Sequence, residues 1–467
     1  MTRLDLRMWA VGVCVGAVTL TISAPAQTYT ELLSFNGTTA AGPQTPLTQG
    51  IDGSLYGTTY YGGTGTCFDG KGIGCGVVFK ITREGKFKVI YNFQMNGVFY
   101  PGNDLVLGED GNLYGTNQRT DVIFRITPAG ELTILHSFTG GAGGAGLFGG
   151  LTLGSDGNFY GTTSGGGTPS GFCPSGCGTV YKMTPAGVLT TLYSFCQQNY
   201  CPDGTSPEGN LAEGTDGNFY GTAFGGGLYK TGTIFKITPN GHFTLLYTLE
   251  ATYPQFIGGL MLATNGNFFG ATENNLYEIT PQGVYSVLPN PGNVPLPPIQ
   301  GNDGNFYGIT QDGGNSRDGN IFEMPLDGST YSNLYSFTGY PTDGSHPYSG
   351  LMQHTNGIFY GVTFAGGNSP CNYDIPGCGT IFSEDVGLGP FVAFVHGAGK
   401  VGQRFGLLGQ GFTGTSGVSL NGTSASFTIK SDTLIEARVP AGATTGYVTV
   451  TTPSGVLTSN APFYLIP

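Results

Sequence analysis

Five histidines are the first residues to consider for acid–base chemistry in this 467-residue chain. His136 takes the place of a tyrosine in a repeated strand, and His242 and His354 lie in or beside turns. His396 falls in a separate C-terminal region, so His346 alone lies in a long loop between repeats. A catalytic histidine needs a second group that orients it, and none accompanies His346 in sequence. We therefore predict no catalytic residue and keep His346 as a candidate ligand contact.

Carboxylates recur in Asp-Gly turns and in one acidic loop. An aspartate before glycine caps a tight turn through its own side chain, so the repeated Asp is interpreted as structural. Residues 312–318 offer oxygen ligands suited to Ca²⁺ but lack the alternating spacing and closing Glu of a calcium loop. We predict no cofactor and no metal, with calcium at 312–318 as the alternative. The basic residues at one shared strand position are predicted to form a solvated face: Lys80, Arg125, Lys182 and Lys236.

Eight of the nine cysteines form close couples in sequence; the ninth, Cys14, lies in the N-terminal apolar segment. Each couple falls within one loop of one repeat, which favours local disulfides in an oxidising compartment. Zinc is the weaker interpretation, because no Cys-x-x-Cys and no nearby His supplies the usual ligand spacing. The predicted disulfides are Cys67–Cys75, Cys173–Cys177, Cys196–Cys201 and Cys371–Cys378.

Seven copies of one string set the architecture, and its best form is Asp-Gly-Asn-Phe-Tyr-Gly-Thr. The copies begin at Asp52, Asp110, Asp156, Asp216, Asn265, Asp303 and Asn356. Their mean spacing of about 51 residues is typical of propeller blades rather than solenoid repeats. Asp-Gly between apolar runs predicts a tight hairpin, and each repeat predicts four strands. Seven such units predict a seven-bladed β-propeller.

The two ends of the repeat region predict how the ring closes. The seventh repeat lacks the Leu-Tyr-Ser-Phe strand that ends the others, whereas residues 30–35 supply an unpaired copy of it. We expect this segment to be the outer strand of the seventh blade, beside residues 379–382, because the pairing removes two exposed sheet edges. An open array with a spare N-terminal strand is the alternative.

The repeats resemble the extracellular tandem-repeat family called GloVer repeats. Its pattern is Asp-Gly-Asn-(Leu/Phe)-Tyr-Gly-Thr-Thr, then Gly-Gly, Gly-Thr-Val-Phe-Lys and a Leu-Tyr-Ser-Phe end. The resemblance covers residues 29–385, although Asn265 and Asn356 depart from the leading Asp. It implies a secreted bacterial protein of unassigned activity.

After Pro390 short Thr-, Val- and Ser-rich strands begin, and they resemble an IPT/TIG domain. This second resemblance implies an immunoglobulin-like sandwich. The predicted fold class is therefore all-β: a seven-bladed β-propeller over residues 27–387, followed by an IPT/TIG-like, immunoglobulin-like β-sandwich over residues 388–467.

Residues 1–26 are predicted to be a secretory signal peptide. Arg3 and Arg7 precede an apolar run over residues 8–22, and small residues surround the cleavage position after Ala26. A retained anchor is the alternative. The net charge of −12, which becomes −13 on cleavage, argues against nucleic acid or an anionic membrane as partner. We expect a bacterial protein that is secreted or held at the cell surface, with no membrane insertion after cleavage.

Two function classes follow. The favoured one is a non-catalytic protein that recognises an extracellular glycan or protein; the alternative is a propeller-type extracellular enzyme, a lyase, lactonase or carbohydrate-active hydrolase. Fold alone does not decide between them. The long, variable loops over residues 60–76, 164–178, 196–208, 340–348 and 364–379 share one predicted face and are expected to meet the ligand. With His346, the candidate contacts are Tyr60, Tyr61, Phe172, Tyr200, Tyr340, Tyr348 and Tyr373.

Overall fold

The computed structural model describes residues 27–67, 74–95, 100–250, 256–292, 295–371 and 376–466. Apart from the short 3-10 helix Gly141–Gly143, the regular elements described there are strands. The predicted signal peptide lies outside the described residues. The described residues contain no helix with the length and hydropathy needed to cross a bilayer.

Seven four-stranded antiparallel sheets succeed one another along the repeat region. In six of them the four strands are consecutive in sequence and pair in that order. Sheet 1 has Thr48–Gln49, Leu55–Thr59, Val77–Ile81 and Phe87–Asn92; sheet 2 has Leu105–Leu107, Leu113–Asn117, Val122–Ile126 and Leu132–Ser137; sheet 3 has Thr152–Leu153, Phe159–Thr163, Thr179–Met183 and Leu189–Ser194; sheet 4 has Ala212–Glu213, Phe219–Ala223, Thr233–Ile237 and Phe243–Thr248; sheet 5 has Phe256–Leu262, Phe268–Thr272, Leu276–Ile279 and Tyr285–Val287; sheet 6 has Ile299–Gln300, Phe306–Thr310, Asn320–Met324 and Ser332–Ser336.

The seventh sheet is built from both ends of the repeat region. It contains Met352–Gln353, Phe359–Thr363 and Thr380–Asp385, and its fourth strand is Thr28–Ser34. That strand pairs antiparallel with the third, with Tyr29 opposite Glu384. The prediction of a closing N-terminal strand is thus confirmed, and the strand is longer than expected. A further two-stranded pair, Gly344–Ser345 with Ala365–Gly366, lies beside this sheet.

The repeated string is explained by one hydrogen-bonded turn, seen clearly in sheet 3. Gly157 has a φ of +75°, which a residue with a side chain rarely adopts. Asp156 accepts the backbone N–H of Asn158 (3.1 Å), the hydroxyl of buried Tyr160 (2.9 Å) and Lys182 Nζ (2.7 Å). The structural interpretation of the repeated Asp is therefore supported. The expectation of a solvated basic face needs correction, because Lys80, Lys182 and Lys236 pair with the turn aspartates of their own repeats.

The aromatic pair of the string joins neighbouring sheets. The ring of Tyr160 stacks on Phe219 of the next sheet, with centroids 3.7 Å apart, and Tyr220 stacks on Phe268 at 4.0 Å. The glycine after the aromatic pair is required by close packing within the sheet. A Cβ on Gly57 would lie 2.6 Å from Cζ of Phe79 in the third strand. In the copies with two aromatics, the first ring contacts the preceding sheet and the second contacts the next sheet, as Phe159 does with Tyr114 and Tyr160 with Phe219.

Amide side chains at the ends of first strands tie adjacent sheets together. Gln300 accepts the backbone N–H of Thr264 (2.8 Å), and Gln353 accepts that of Asn302 (3.0 Å). Gln49 of sheet 1 makes the corresponding bond with Thr355 of sheet 7, so the first and last sheets are also in direct contact. Sheets 1 and 7, which come from opposite ends of the repeat region, are therefore neighbours as sheets 5 and 6 are.

The C-terminal region forms two further four-stranded sheets around its own core. One contains Ala393–Phe394, Arg404–Leu408, Leu434–Arg438 and Phe427–Ser431; the other contains Thr423–Ser424, Gly417–Leu420, Val448–Thr452 and Gly455–Thr458. Ala398–Gly399 and Tyr464–Leu465 add a short parallel pair. Buried Phe405, Phe412, Ile435 and Phe463 lie in the core between them.

This C-terminal domain rests on the face of the repeat region that carries the Asp-Gly turns, called here the tight-turn face. Thr433 Oγ1 donates to the carbonyl of Ile51 (2.5 Å), and Gln403 Nε2 donates to that of Ser155 (2.6 Å). Buried His396 places Nε2 2.9 Å from Oε1 of Glu109. The opposite face, which carries the long loops predicted above, is called the long-loop face.

Candidate functional site

A cavity of about 390 Å³ lies where the seven sheets meet. Its lining comes from segments that enter the first strand of each sheet, and these segments run on the long-loop face. They include Gln44, Pro46, Asp104, Phe148, Glu208, Asn210, Gly259, Pro297 and Tyr348. All seven sheets therefore contribute to one central opening.

A second cavity of about 420 Å³ lies at the other end of the same axis, between the sheets and the C-terminal domain. Met261 and Ile299 line both cavities and so separate them. The second cavity contains Glu213, whose carboxylate accepts the backbone N–H of Ser155 (2.8 Å) and its hydroxyl. Glu213 thus makes the inter-sheet link that glutamines make elsewhere.

Strand register identifies one repeat position that faces the central cavity. In each sheet, one residue of the first strand pairs with the second aromatic of the string, as Thr152 pairs with Tyr160. The position that faces the cavity lies two residues before it, which is Gly150 in sheet 3. The seven occupants are Pro46, Asp104, Gly150, Asn210, Gly259, Pro297 and Gly350, and all line the cavity. Only Asp104 and Asn210 carry polar side chains, so two repeats have been altered where the others keep Gly or Pro.

Asp104 and Asn210 are joined directly across sheet 3. Asn210 Nδ2 donates to Oδ2 of Asp104 (2.9 Å), and its Oδ1 accepts the backbone N–H of Gly150 (2.5 Å). Burial raises the pKa of Asp104, and the hydrogen bond from Asn210 only partly opposes this. The hydrogen bond from Asn210 thus holds the Asp104 carboxyl in a fixed position in the cavity wall.

Glu208 and Asn103 add polar side chains to the cavity wall, as do Gln44, Tyr348 and Ser349. Glu208 lines the cavity, and burial raises the pKa of its carboxyl. Asn103 is buried and donates to Thr116 Oγ1 (2.7 Å) and to the carbonyl of Leu147 (2.6 Å), so it holds the wall in place. The described lining contains no Lys, Arg or His, and its charged groups are the two carboxyls of Asp104 and Glu208.

An open groove adjoins the cavity and shares Gln44 and Phe148 with it. The groove is lined further by Tyr60, Tyr61, Gln118 and Arg119. Tyr60 stacks on Tyr100 with centroids 4.8 Å apart, and Arg119 donates to the Tyr60 hydroxyl from Nε (3.1 Å) and Nη2 (2.8 Å). These contacts fix an aromatic wall beside the cavity mouth.

The predicted contact residues fall into separate places on the long-loop face. Tyr60 and Tyr61 line the groove, and Tyr348, 38% exposed, stands at the cavity. Phe172 and Tyr200 contact each other at 5.4 Å and are exposed. Tyr340 is also exposed. Tyr373 lies outside the described residues.

His346 lies beside the acidic loop that offered calcium ligands. Its Nε2 is 3.9 Å from Oδ1 of Asp312, and its backbone N–H donates to the carbonyl of Asp318 (2.9 Å). The Asp312 carboxylate thus lies within ion-pair distance of the imidazole. Calcium binding at this loop stays the alternative to the prediction of no metal.

Four disulfides lie in the connections of the long-loop face, and they join the pairs predicted from sequence. Sγ atoms of Cys173, Cys177 and Cys196 lie within 4.8 Å of one another. All three are in disulfides and so present no thiolate to a metal ion. The disulfides restrict the loops that carry Phe172 and Tyr200.

Sequence reasoning missed most of the cavity. Asp104, Glu208, Asn210, Phe148 and Arg119 belong to no repeated motif and to no known catalytic pattern. The usable signal was the aligned repeat position itself, where Asp104 and Asn210 replace Gly or Pro. Reading it requires the strand register, which the variable loop lengths hide.

The comparisons with known proteins agree with this architecture. A streptogramin B lyase structure matches with a TM-score of 0.53 and 17% identity, over 77% of this chain and 97% of that one. A catalytically inactive virginiamycin B lyase from Staphylococcus aureus, solved with quinupristin, matches with a TM-score of 0.53 and 14% identity, over 77% and 99%. At these identities the likeness concerns the fold, which is of the propeller type. No curated protein matches the chain.

A family model describes much of the repeat region. The model of the Gloeobacter/Verrucomicrobia repeat matches residues 118–290 and 274–408. These ranges contain the Asp-Gly turns, stacked aromatic pairs and inter-sheet links of sheets 3 to 7 described above. The chain therefore belongs to the Gloeobacter/Verrucomicrobia repeat family.

Proposed function

We propose that this protein is a secreted, non-catalytic recognition protein that binds an extracellular glycan on its long-loop face. The carrying observation is the central cavity: every sheet contributes to it, and it opens on the face that the C-terminal domain leaves uncovered. Concave sites with a few fixed polar groups are the usual ligand sites of such scaffolds.

The proposed architecture has seven blades and an immunoglobulin-like C-terminal domain. Seven consecutive four-stranded sheets, a shared seventh sheet and the link between Gln49 and Thr355 support a closed ring. Two packed sheets around one core support the sandwich for residues 388–467. The predicted signal peptide and the four disulfides support secretion.

The groove chemistry favours a sugar over a flat protein surface. Aromatic side chains offer an apolar face to a pyranose ring, and planar polar side chains satisfy its hydroxyls. The groove provides Tyr61 and Phe148 for the first role and Gln118 for the second. Asn210 and Asp104, fixed by their mutual hydrogen bond, present further polar atoms in the cavity. A protein ligand held by the rim loops is the alternative partner.

A glycan array probed with the purified full-length protein, followed by calorimetry on the best glycan, tests the proposal. Phe148→Ala should weaken binding roughly tenfold, because about 1.4 kcal/mol of ring contact corresponds to that factor. Leu228→Ala is the matched control, since Leu228 is 77% exposed and lies outside both the cavity and the groove. Absence of glycan binding, or equal loss in the two variants, contradicts the proposal.

The second candidate is an extracellular enzyme such as a lyase, lactonase or carbohydrate-active hydrolase. It is favoured by one observation: burial raises the pKa of both carboxyls in the cavity, Asp104 and Glu208, which is the direction of shift found in general acids. A hydrolase and lyase panel separates the two candidates. Turnover that Asp104→Asn abolishes while the glycan still binds would establish the enzyme.

A further inference from the structure

One acidic residue occupies a core position of the repeat. Glu384 pairs with Phe359, the first aromatic of the seventh string. The same register position in the other six sheets is always apolar: Ile81, Ile126, Met183, Ile237, Ile279 and Met324. The seventh sheet is also the one whose fourth strand comes from the N-terminal end of the repeat region.

The carboxyl of Glu384 lacks a counter-charge among the described residues. Its residue is 0% exposed, and neither Oε1 nor Oε2 accepts a hydrogen bond. Burial raises the pKa of Glu384 to about 7, although the nearby amide of Gln27 opposes this. That amide is committed elsewhere, since Gln27 Nε2 donates to the carbonyl of Leu334 (2.6 Å). A buried carboxyl without a partner destabilises a fold.

Strand register places Gln27 at the end of this sheet. Glu384 pairs with Tyr29, and Gln27 lies two residues earlier on the same side of the strand. In sheet 3 the corresponding residues are Met183, Leu189 and Gly187, and Gly187 belongs to the turn that joins third to fourth strand. The seventh sheet has no such turn. In a chain whose first residue is Gln27, the N-terminus therefore lies beside the acidic pair Glu384 and Asp385.

We infer that cleavage after Ala26 supplies the missing counter-charge: the α-ammonium of Gln27 pairs with Glu384 and fastens the closing strand to the seventh sheet. Hydrolysis of the Ala26–Gln27 bond by a signal peptidase adds hydroxide to Ala26 and leaves an amine on Gln27, which takes up a proton below its pKa of about 8. Maturation thus stabilises the ring that it completes. The inference depends on the predicted cleavage site and is independent of any ligand.

The test uses the full secreted protein, whose N-terminus is established by intact mass and N-terminal sequencing. Thermal unfolding at about pH 6.5 is compared before and after treatment with glutaminyl cyclase, which converts N-terminal Gln to neutral pyroglutamate with release of ammonia. The ammonium form should melt about 2–4 °C higher. If the natural N-terminus cyclises during purification, Gln27→Ala supplies the ammonium form, because alanine cannot cyclise. Acetylation of the N-terminus of Gln27→Ala then supplies the neutral form in place of pyroglutamate.

Two variants make the result specific to Glu384. Glu384→Met carries the residue found in sheets 3 and 6, so it should fold. In this variant the difference between the two N-terminal forms should shrink to the part that comes from the Gln27–Leu334 hydrogen bond, which cyclisation removes in both chains. Glu31→Gln changes another carboxyl of the closing strand and should keep the difference. Equal melting of the two forms in the natural chain, the same difference in Glu384→Met, or cleavage at another position overturns the inference.

Discussion

The two faces of the repeat region use their polar residues in opposite ways. On the tight-turn face an Asp or Asn recurs in every repeat, and in sheets 1, 3 and 4 it bonds to a Tyr and a Lys of its own repeat, as Asp156 does to Tyr160 and Lys182. On the long-loop face the cavity groups occur once each: Asp104 and Asn210 replace Gly or Pro at one repeat position. Repetition therefore indicates scaffold, and departure from repetition indicates a site.

The covering of the two faces follows the same division. The C-terminal domain contacts the Asp-Gly turns through Thr433, Gln403 and His396, whereas the cavity mouth and its groove lie on the other side. A residue that serves binding must remain reachable, and a residue that serves folding need not be. The predictions below test this division, beginning with the scaffold.

Loss of the closing strand should have the largest effect. Deleting residues 27–36 leaves Thr380–Asp385 as an unpaired edge and removes Tyr29, which stacks on Tyr335 with centroids 3.8 Å apart. We expect the melting temperature to fall by at least about 10 °C, because several kcal/mol of packing are lost. Calorimetry of the deletion against a chain that begins at Gln27 measures this, and equal melting temperatures would contradict closure.

Loss of one turn aspartate should cost less. Asp156→Ala removes an acceptor of three hydrogen bonds, two of them to buried Tyr160 and to Lys182. The expected loss is about 1–3 kcal/mol of unfolding free energy, with ligand affinity unchanged. Urea denaturation measures the loss. The control is Asp432→Ala, which removes an exposed aspartate that accepts backbone hydrogen bonds in the C-terminal domain. A loss of ligand affinity in Asp156→Ala would contradict the division of roles between the two faces.

The contact between the domains should depend on pH. Although burial disfavours the charged imidazole, the hydrogen bond and charge of Glu109, the Ala398 carbonyl and the charge of Glu213 together raise the pKa of His396. A raised histidine pKa means that its stabilisation is complete below the ordinary value of about 6.5 and is lost as pH rises through the folded value.

Limited proteolysis of the connection near residues 386–392 reports on that contact. The cleavage rate should rise severalfold between about pH 6 and pH 9 in the natural chain. His396→Gln should remove most of this pH dependence, and His242→Gln, which changes a histidine of an exposed turn, should retain it. An identical pH profile in natural chain and His396→Gln rules out the histidine as the cause.

Much of the scaffold was predictable from sequence because the same motifs occur in repeat after repeat. The Asp-Gly turns, the closing strand over residues 30–35 and the four disulfides all follow from local spacing. The pairing of Lys182 with Asp156 was missed because it joins strands 26 residues apart. The same strand position is acidic in sheets 5 and 6, where Glu278 accepts hydrogen bonds from Asn265 and Asn267, and Glu323 accepts them from Asn305 and Tyr307.

The cavity was not predictable in the same way. Asp104 and Asn210 are 106 residues apart, and they meet only because sheets 2, 3 and 4 lie side by side. Tyr60 and Tyr61 were predicted as ligand contacts because loops held by a rigid scaffold often carry binding residues, and the structure places both in the groove. Arg119, which donates hydrogen bonds to Tyr60, lies in another repeat and carries no motif. Contacts between distant repeats therefore build the candidate site, whereas local repetition builds the scaffold.

The smallest expected effect on stability is at the cavity. Burial raises the pKa of Asp104, so its folded-state pKa lies above its unfolded value. Such an acid does not lower the free energy of unfolding below the unfolded pKa of about 3.9, and it lowers that free energy as pH rises through the folded value.

Asp104→Asn keeps the shape of the side chain, and its amide can still accept a hydrogen bond from Asn210. We expect unfolding free energy at neutral pH to stay equal or to rise by up to about 1 kcal/mol. At about pH 3.5 the natural chain and Asp104→Asn should have the same free energy of unfolding. The control is Asp110→Asn, which changes a turn aspartate and should be destabilised at neutral pH. Urea denaturation at both pH values measures this. A destabilised Asp104→Asn would show that the cavity carboxyl belongs to the scaffold and would break the division between the two faces.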